Sequence, residues 1–580
     1  MVSKWLVNEG PRWAFTAIWI GLNIFLFAWF CHFFETADDF WYLRRYIGVG
    51  LCLARGAAVP INLNCTLILL PVCRNLISLV RGSGIGVWRW MRRLLDKNLT
   101  FHKTLAWAIL FWSAIHTGAH FWNYHRVVTV WEENPGMTCI PPMSNPVRGP
   151  GNDPIIIMWA TVAGFTGFII LAVFFLMITS SIEVIRRSYF EVFWYTHHLF
   201  LIFFAAFLAH GFGELIVGQN NTDEHNPEFC YSRNRRFANG TCETVIIDGS
   251  GDRNQCDLNT ATFSHAGAQS WKWVVGPLAL YFLERVIRIW RSWHPATICR
   301  VVQHPSKVLE IQMQKEGFYA DVGQYVFIQA PEIAPLEWHP FTLSSSPEED
   351  CFSVHIRIVG DWTENLARRC GMNVSGKAED EPPPISAPPK LLIDGPFGTA
   401  SEDVFKHRVA VCIGAGIGVT PFASVLKSIW YQSLEAGSLI SVQKVYFFWL
   451  CSDLSAFEWF ADLMRSLEDQ MNAQQRGDFV QFRIYLTRPG NTAEQIRALV
   501  ASTMAEDGSP IVQMQDANVL QFARPNWVQI FDSIGSNHLG EDIGVFFCGP
   551  KALSSRLHTI CNQFTNTATG TRFFYNKENF

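Results

Sequence analysis

Two long apolar stretches of this sequence carry histidines, and this combination constrains the fold more than any other feature. The first runs from Phe101 to His120 and the second from Trp194 to Gly211. Each is long enough to cross a hydrocarbon core as a helix. Ionisable side chains at membrane depth are costly and usually mark a functional site. The two stretches therefore predict membrane-spanning helices that use their histidines.

The spacing of these histidines predicts two metal sites at two depths. His102 and His116 are 14 residues apart, and His197 and His210 are 13 residues apart. At about 1.5 Å per residue, each spacing covers roughly 20 Å along a helix. Two such helices could hold two stacked haems, each iron between two imidazoles. A hydrogen-bonded polar seam is the simpler alternative, but two pairs at matching depth favour haem.

The helical phase fits the first spacing better than the second. Fourteen residues fall about 40° short of whole turns, whereas thirteen fall about 140° short. The second helix is therefore expected to be distorted, or to reach its haems from different faces. Matching depth favours His116 over His120 as a ligand, and spacing alone does not decide between His197 and His198.

The whole first half of the chain predicts six spans. The expected spans are residues 13–33, 47–73, 105–122, 154–181, 193–211 and 271–290. No small-residue cleavage site follows the first span, so we expect that span to be retained. The connection 81–97 carries five basic residues against Asp96, and this excess predicts a cytosolic location. The histidines at 102 and 197 then lie at the inner level and those at 116 and 210 at the outer level.

Arg55 lies inside the second predicted span. A charge at that depth needs an anionic partner, and haem propionates would supply one. The alternative is that the side chain extends to the membrane surface.

The polar segment 212–268 is expected on the outer side of the membrane. It contains glycan acceptor patterns at Asn220 and Asn239, with Cys230, Cys242 and Cys256 nearby. Outer loops are where glycans and disulfides form. One disulfide is expected within this loop, with its pairing left open.

The second half of the chain has the pattern of a soluble α/β protein. Short alternating runs from Thr297 predict a small antiparallel barrel. Farther on, the buried strand 409–413 is followed by Gly414, Gly416 and Gly418, and then by a helix with Pro421 in its first turn. A strand, a glycine-rich turn and a helix start present backbone amides to a pyrophosphate. Further strands alternating with helices predict a parallel sheet.

Composition excludes several classes of function. The net charge of −4, from 46 basic and 50 acidic residues, offers no positive field for nucleic acid. The 15 cysteines form no CxxC pair, which disfavours zinc and iron–sulfur centres.

Several motifs together resemble one family over essentially the whole chain. They are Leu-Pro-Val-Cys-Arg-Asn at 70–75, the run ending in Trp-Tyr-Thr-His-His at 186–198, His-Pro-Phe-Thr at 339–342, Asp-Gly-Pro-Phe-Gly-Thr-Ala-Ser-Glu-Asp at 394–403 and Asn-Lys-Glu-Asn-Phe at 576–580. The chain resembles the catalytic subunit of the NADPH oxidases, most closely the phagocyte-type flavocytochrome b large subunit and its near paralogues.

The resemblance implies a multi-domain membrane protein. A six-helix transmembrane di-haem bundle, residues 1–292, is followed by a cytosolic unit like ferredoxin-NADP reductase. That unit has an antiparallel β-barrel FAD domain, residues 293–400, and an α/β NADPH-binding domain, residues 401–580.

The resemblance also implies cofactors and their ligands. Of two b-type haems, the inner is held by His102 with His197 and the outer by His116 with His210, and Arg55 lies between them. FAD contacts fall on His339, Pro340, Phe341, Thr342, His355, Arg357 and Thr363, with Thr342 at the flavin ring and Arg357 at the pyrophosphate. NADPH contacts fall on Gly414, Gly416, Gly418, Thr420, Pro421, Thr487, Arg524, Cys548 and Gly549. Phe580 resembles the terminal aromatic that stacks on the flavin.

One departure from the family pattern concerns the choice of nucleotide. Ser452 follows Cys451 where relatives usually have an arginine that helps to hold the 2′-phosphate. Arg524 is kept, and Arg488 follows Thr487 where a glycine is more usual and could compensate for the missing arginine. We therefore still expect NADPH, with a weaker preference over NADH.

The implied activity is transmembrane electron transfer from cytosolic NADPH to oxygen, giving superoxide. A ferric or cupric metalloreductase on the same scaffold is the alternative. The resemblance further implies a small membrane subunit, cytosolic organiser and activator proteins and a Rac-type GTPase as partners. It places the chain in the lipid of the plasma membrane, or of phagosomal or endosomal membranes. The lack of an EF-hand pattern argues against direct calcium gating.

Overall fold

The computed structural model describes residues 2–83, 88–133, 154–213, 216–228, 261–265, 267–304, 307–372, 388–434, 441–451, 458–487, 520–521 and 523–578. The chain divides into two compact units. The helical unit comprises residues 15–73 and 98–283, and the nucleotide unit comprises residues 1–14, 74–97 and 284–580.

Helices account for most of the first half of the chain. In chain order the α-helices are α1 (Val2–Thr36), α2 (Trp41–Ile47), α3 (Val49–Ile68), α4 (Arg74–Gly82), α5 (Arg89–Leu95), α6 (Asn98–Glu133), α7 (Pro154–Ala160), α8 (Val162–Ser180), α9 (Glu183–Ser188), α10 (Phe190–His197), α11 (Phe200–Gly211), α12 (Ser270–Ser292), α13 (Asp361–Arg369), α14 (Thr420–Leu434), α15 (Glu458–Ala473), α16 (Trp527–Asn537) and α17 (Lys551–Phe564).

Strands account for most of the second half. They are β1 (Val217–Gln219), β2 (Phe263–His265), β3 (Thr297–His304), β4 (Val308–Gln314), β5 (Tyr325–Gln329), β6 (His339–Thr342), β7 (Phe352–Arg357), β8 (Leu392–Phe397), β9 (Val409–Ala415), β10 (Lys444–Cys451), β11 (Val480–Leu486), β12 (Leu520–Gln521), β13 (Asp542–Cys548) and β14 (Arg572–Lys577). A two-stranded antiparallel sheet of β1 and β2 lies in the predicted outer loop, and the sequence pattern did not predict it.

Four helical stretches among the described residues are long and apolar enough to cross a membrane. They cover residues 4–36, 49–72, 162–180 and 190–211, and they match the first, second, fourth and fifth predicted spans. The third and sixth predicted spans are also helical, in α6 and α12. Their polar residues lower their hydropathy: α6 contains four histidines, and α12 ends in a run with three arginines.

The fifth span is not one regular helix. Helix α10 ends at His197 and α11 begins at Phe200, with His198 and Leu199 forming a turn between them. This break changes the helical phase between His197 and His210. The distortion predicted from the 13-residue spacing is therefore present.

The core of the helical unit lies where α3, α6, α8 and α11 meet. On α6, Leu105, Ile109 and Trp112 follow helical spacing along one face and are all buried. A small polar network crosses this core, because Asn23 accepts hydrogen bonds from the Asn64 amide at 2.6 Å and from the Trp112 indole at 3.2 Å. Buried amides and indoles are satisfied in this way, which fixes the register of the helices.

Two antiparallel three-stranded sheets form the predicted barrel. Their strand orders are β3-β4-β7 and β6-β5-β8. A bridge between Leu343 and Val354 joins the two sheets, and their inward side chains share one apolar core. Strand β3 contains a bulge, since Ile298 pairs with Met313 and Arg300 pairs with Gln312, which leaves Cys299 without an opposite residue.

The remaining strands form one parallel sheet, as predicted. The order is β12-β11-β10-β9-β13-β14. The chain moves from β9 to β10 on one side, and later to β13 on the other side of β9. The carboxyl ends of β9 and β13 therefore flank the point where the strand order reverses, which is where ligands bind in open α/β sheets.

Candidate functional site

The structure brings four of the predicted histidines together in two pairs. The rings of His102 and His197 have centroids 6.1 Å apart, and those of His116 and His210 are 6.2 Å apart. Two imidazoles on opposite sides of one metal ion, each with a bond of about 2 Å, have ring centroids roughly 6 Å apart. Both pairs therefore have the spacing that an iron between them requires.

The hydrogen bonds of these histidines leave one nitrogen of each ring available. In each ring Nδ1 is engaged by an oxygen: His102 by the Ile68 carbonyl at 2.9 Å, His116 by the Ala54 carbonyl at 2.8 Å, His210 by Thr166 Oγ1 at 3.1 Å and His197 by Ser181 Oγ at 3.4 Å. Carbonyls only accept, so Nδ1 of the first two rings carries the proton. Each hydroxyl also donates to a backbone carbonyl, Thr166 to Val162 and Ser181 to Met177, and so accepts from its histidine. Nε2 of all four rings is then unprotonated, the form and orientation that a metal ligand needs.

The two neighbouring histidines are arranged differently. His198 lies in the turn between α10 and α11, and its Nδ1 donates to the Trp194 carbonyl at 2.7 Å. The ring of His120 is perpendicular to that of His116, with centroids 4.5 Å apart. His210 therefore faces His116, which matching depth favoured over His120.

Arg55 lies in α3, one residue after Ala54, whose carbonyl holds His116. Its guanidinium is 5.3 Å from the centre of the Phe34 ring, and its Nε is buried without a hydrogen-bond partner among the described residues. A buried donor of this kind fits an anionic group such as a propionate.

The residues assigned to FAD lie on β6, on β7 and at the start of α13. Thr342 is buried, Pro340 and Arg357 are exposed, and the rings of His339 and Phe341 both pack on Trp362, at 4.1 and 6.0 Å between centroids. Trp362 was not predicted; its position one residue before Thr363 was the available signal. Thr363 uses its hydroxyl to cap α13, accepting from the amides of residues 359 and 360 at 3.1 Å each.

His355 takes part in a polar cluster that the sequence analysis did not identify. Its neighbour across the sheet is Glu310, whose carboxylate lies 3.6 Å from His355 Nε2 and 2.7 Å from His304 Nε2. Burial alone would raise the pKa of Glu310, but the hydrogen bond from His304 and the charge of His355 lower it to about 2. Burial lowers the pKa of His355 to about 3.

This cluster predicts a loss of stability on acidification. In the unfolded chain Glu310 takes up a proton near its ordinary pKa of 4.5, whereas in the folded chain its pKa is lowered to about 2. The stability it contributes is present above pH 4.5 and is lost as the pH falls towards 2. His355 acts in the same direction, since its unfolded form protonates near pH 6.5. We expect the thermal unfolding midpoint of the nucleotide unit to change less with pH between pH 5 and 3 in Glu310→Gln than in the wild type. An unchanged pH dependence of the midpoint would contradict this assignment.

The glycine-rich turn lies at the carboxyl end of β9, at the reversal point of the sheet. A Cβ added to Gly418 would lie 2.5 Å from the Cys548 carbonyl oxygen, so this glycine allows the turn to pack against β13. Gly416 has φ +57° and open space where a side chain would be. The turn is followed at once by α14, with Pro421 in its first turn. Backbone amides at a helix start with open space above them suit a pyrophosphate.

We expect Gly418→Ala to weaken NADPH binding. Overpacking of about 1–3 kcal/mol would displace the turn from β13 and raise the KM for NADPH by about tenfold or more. Steady-state kinetics with NADPH as the varied substrate measures this. Gly82→Ala is the control, because its added methyl group meets nothing within 4 Å, and its KM should match that of the wild type.

The other residues assigned to NADPH lie at the same edge of the sheet. Thr420 is buried at the start of α14, Cys548 ends β13, and Gly549 follows with φ +156°. Thr487 follows β11 and donates through Oγ1 to the Cys451 carbonyl at 3.2 Å. Arg524 is exposed before α16. Phe580, Ser452 and Arg488 lie outside the described residues.

Two basic side chains beside the barrel were not singled out from sequence. Arg288, at the end of α12, donates through Nε to the fully buried Asp394 of β8 at 2.5 Å. The guanidinium of Arg74 lies 3.7 Å from the centre of the Phe327 ring. Arg74 and Asp394 both belong to the motifs quoted above, which was the signal for them.

Arg81 holds the connection 74–97 to the rest of the nucleotide unit. Its guanidinium pairs with Asp96, with Glu402 at 2.9 Å and with Asp403 at 3.6 Å, and only 6% of its side chain is exposed. The neighbouring acids raise its pKa although burial opposes this. Arg92 adds a second pair to Asp403 at 3.3 Å.

The fold and these sites define a membrane-bound electron-transfer protein with a flavin and nicotinamide nucleotide unit, and comparisons agree. Three family models match: Ferric reductase like transmembrane component at 56–208, FAD-binding domain at 296–401 and Ferric reductase NAD binding domain at 407–562.

Relatives match over the full length. NADPH oxidase 3 of Homo sapiens is 42% identical over 596 residues, covering 100% of both chains. NADPH oxidase 1 of Mus musculus is 39% identical over 593 residues, covering 100% of this chain and 95% of the relative. The chain belongs to the NADPH oxidase family and is an oxidoreductase. A ferredoxin-NADP+ reductase from Plasmodium falciparum aligns with TM-score 0.31 at 12% identity, covering 48% of this chain and 95% of that one, too low to add to the assignment.

Proposed function

We propose that this protein transfers electrons from cytosolic NADPH across the membrane to molecular oxygen on the outer face and produces superoxide. The observation that carries the proposal is the two facing histidine pairs, each with its Nε2 atoms available, in one chain with a nucleotide unit. When bound, FAD divides the hydride of NADPH into single electrons, and two b-type haems provide the path through the lipid. Full-length relatedness to NADPH oxidases supports oxygen as the acceptor.

The histidines act as orienting ligands. Because every Nδ1 is hydrogen-bonded to an oxygen, the four rings keep their Nε2 atoms directed within each pair, and each pair would supply two imidazole ligands to one haem iron. Arg55 supplies a half-buried positive charge near the outer pair. With two imidazoles at each iron, the haems would pass single electrons to oxygen without binding it, and the expected product is superoxide.

The nucleotide unit binds and orients its ligands through the residues assigned above. The turn 414–418 and the start of α14 would hold the NADPH pyrophosphate, and Arg524 would pair with the 2′-phosphate. Thr342 and Arg357 would contact the flavin ring and the FAD pyrophosphate. Phe580, which lies outside the described residues, would stack on the flavin by resemblance to the family.

Superoxide dismutase separates this function from a ferric or cupric reductase. Purified protein in lipid vesicles, loaded with haem and FAD, receives NADPH on one side and cytochrome c on the other. We expect superoxide dismutase to abolish cytochrome c reduction. Reduction that is wholly insensitive to the enzyme would favour the metalloreductase.

Arg524→Ala tests the choice of nucleotide. A charge-assisted contact to phosphate is worth about 1.5–3 kcal/mol, so we expect the KM for NADPH to rise by about tenfold or more. The KM for NADH, which lacks the 2′-phosphate, should stay within about twofold. Arg556→Ala, at another exposed arginine, is the control and should leave both KM values unchanged. A parallel rise in both KM values for Arg524→Ala would count against the assignment.

We further propose that a small membrane subunit, cytosolic organiser and activator proteins and a Rac-type GTPase assemble with this chain, in the plasma membrane or in phagosomal or endosomal membranes. Family membership supports these partners. The excess of basic residues in 81–97 supports a cytosolic location for the nucleotide unit.

A further inference from the structure

Cys299 and Cys351 lie side by side in the barrel of the nucleotide unit. The Cys351 thiol donates to Cys299 Sγ at 3.4 Å. Among the cysteines that the structure describes, Cys299 alone is exposed, and Cys351 is half-buried. Nothing in the activity proposed above uses either thiol.

The local fold explains how two residues from non-neighbouring strands meet. Cys299 is the extra residue of the β3 bulge, and Cys351 immediately precedes β7. Ile298, Met313 and Phe352 lie opposite one another across β3, β4 and β7. Cys299 follows the first of these residues, and Cys351 precedes the last. A bulge redirects a side chain away from the regular alternation of its strand, and here it directs the Cys299 thiol towards Cys351.

We propose that Cys299 and Cys351 form a modification site for hydrogen peroxide, at which oxidation joins them in a reversible disulfide. Bond formation requires the sulfurs to approach from 3.4 Å to about 2.05 Å. An exposed bulge residue can make this movement by rotating its side chain. In the reducing cytosol such a pair stays as thiols at rest and is oxidised transiently.

The chemistry is balanced by one peroxide. The Cys299 thiolate attacks a peroxide oxygen, the O–O bond breaks, and a sulfenic acid forms as hydroxide leaves and is protonated to water. The Cys351 thiol then attacks the sulfenic sulfur, the S–S bond forms, and the second oxygen leaves as water. Two thiols are oxidised and one peroxide is reduced to two waters. The source of peroxide in the cell rests on the proposed function, because superoxide dismutates to peroxide, but the site itself does not.

The disulfide would restrain the sheet that carries the flavin contacts. It would tie β3 across β4 to the residue before β7, and β7 carries His355 and Arg357. A cross-link between strands disfavours conformations in which the strands separate. FAD should therefore leave the oxidised protein severalfold more slowly than the reduced protein.

Peptide mapping tests the site on the full-length holoenzyme. Protein reduced with dithiothreitol is exposed to added hydrogen peroxide, alkylated and digested without reduction. We expect a cross-linked peptide containing Cys299 and Cys351, lighter by two hydrogen atoms than the sum of the two thiol peptides, that dithiothreitol removes. Cys370→Ser, at a half-buried cysteine of the same barrel, should still form it.

The remaining outcomes overturn the proposal or part of it. The proposed site would be wrong if Cys299 were oxidised only to sulfinic acid or were linked to another cysteine. Cys351→Ser should abolish the cross-link and make FAD release insensitive to peroxide. A cross-link with unchanged FAD release would overturn the restraining effect. Since peroxide is added, failure of the chain to make superoxide leaves this test readable.

Discussion

His116→Leu is expected to remove the outer haem and abolish superoxide production, while the inner haem remains. His116 faces His210 across 6.2 Å, and its partner at the other level, His102, faces His197. Leucine has no nitrogen to bind iron, so the outer site would keep only one of its two imidazole ligands, and we expect it to lose its haem. The reduced-minus-oxidised spectrum should therefore lose about half of its haem absorbance, and His210→Leu should give the same result.

Two neighbouring histidines provide matched controls. His198→Leu removes an imidazole from the same span as His210, and His120→Leu removes one from the same helix as His116. Neither ring belongs to a facing pair, so both variants should keep the full haem absorbance. The assignment of ligands is wrong if both haem signals survive in His116→Leu, or if His198→Leu loses one of them.

The histidine spacing predicted both the sites and a defect in one helix. The 13-residue interval between His197 and His210 cannot keep both rings on one face of a regular helix, and the chain breaks its helix at His198 and Leu199. Spacing could not choose between His197 and His198, because adjacent residues differ by less than one turn. The difference lies in their partners: His197 contacts the Ser181 hydroxyl after α8, whereas His198 donates to the Trp194 carbonyl four residues before it.

Local patterns predicted the nucleotide unit to a similar extent. The run of strand, glycine turn and helix at 409–431 predicted its structure because each step depends on near neighbours. The close approach of Gly418 to Cys548 joins residues 130 positions apart and has no local signal. The Glu310 cluster and the Cys299 bulge also depend on strand register, which a single sequence without turn constraints does not determine.

Arg81→Met is expected to destabilise the nucleotide unit strongly. The substitution keeps most of the side-chain volume but leaves Asp96, Glu402 and Asp403 with less positive charge to pair with. Removing one partner of a buried ion pair costs about 3–5 kcal/mol, because the remaining charges stay desolvated. The midpoint of FAD release in urea measures the change, and the haem spectrum should be unaffected. Arg368→Met is the matched control, since its pair with Glu364 is exposed and worth little.

The pH dependence of the Arg81→Met effect identifies its cause. Burial raises the pKa of Asp96 to about 6 even with Arg81 opposing it, so loss of Arg81 raises this pKa further. A carboxyl group whose folded pKa exceeds its unfolded value destabilises the folded state increasingly as the pH rises between the two values. The loss of stability should therefore be larger at pH 8 than at pH 6, and Glu402→Gln combined with Arg81→Met should recover part of it. A loss that is equal at both pH values and is not recovered would indicate that Arg81 stabilises the unit by packing its alkyl chain.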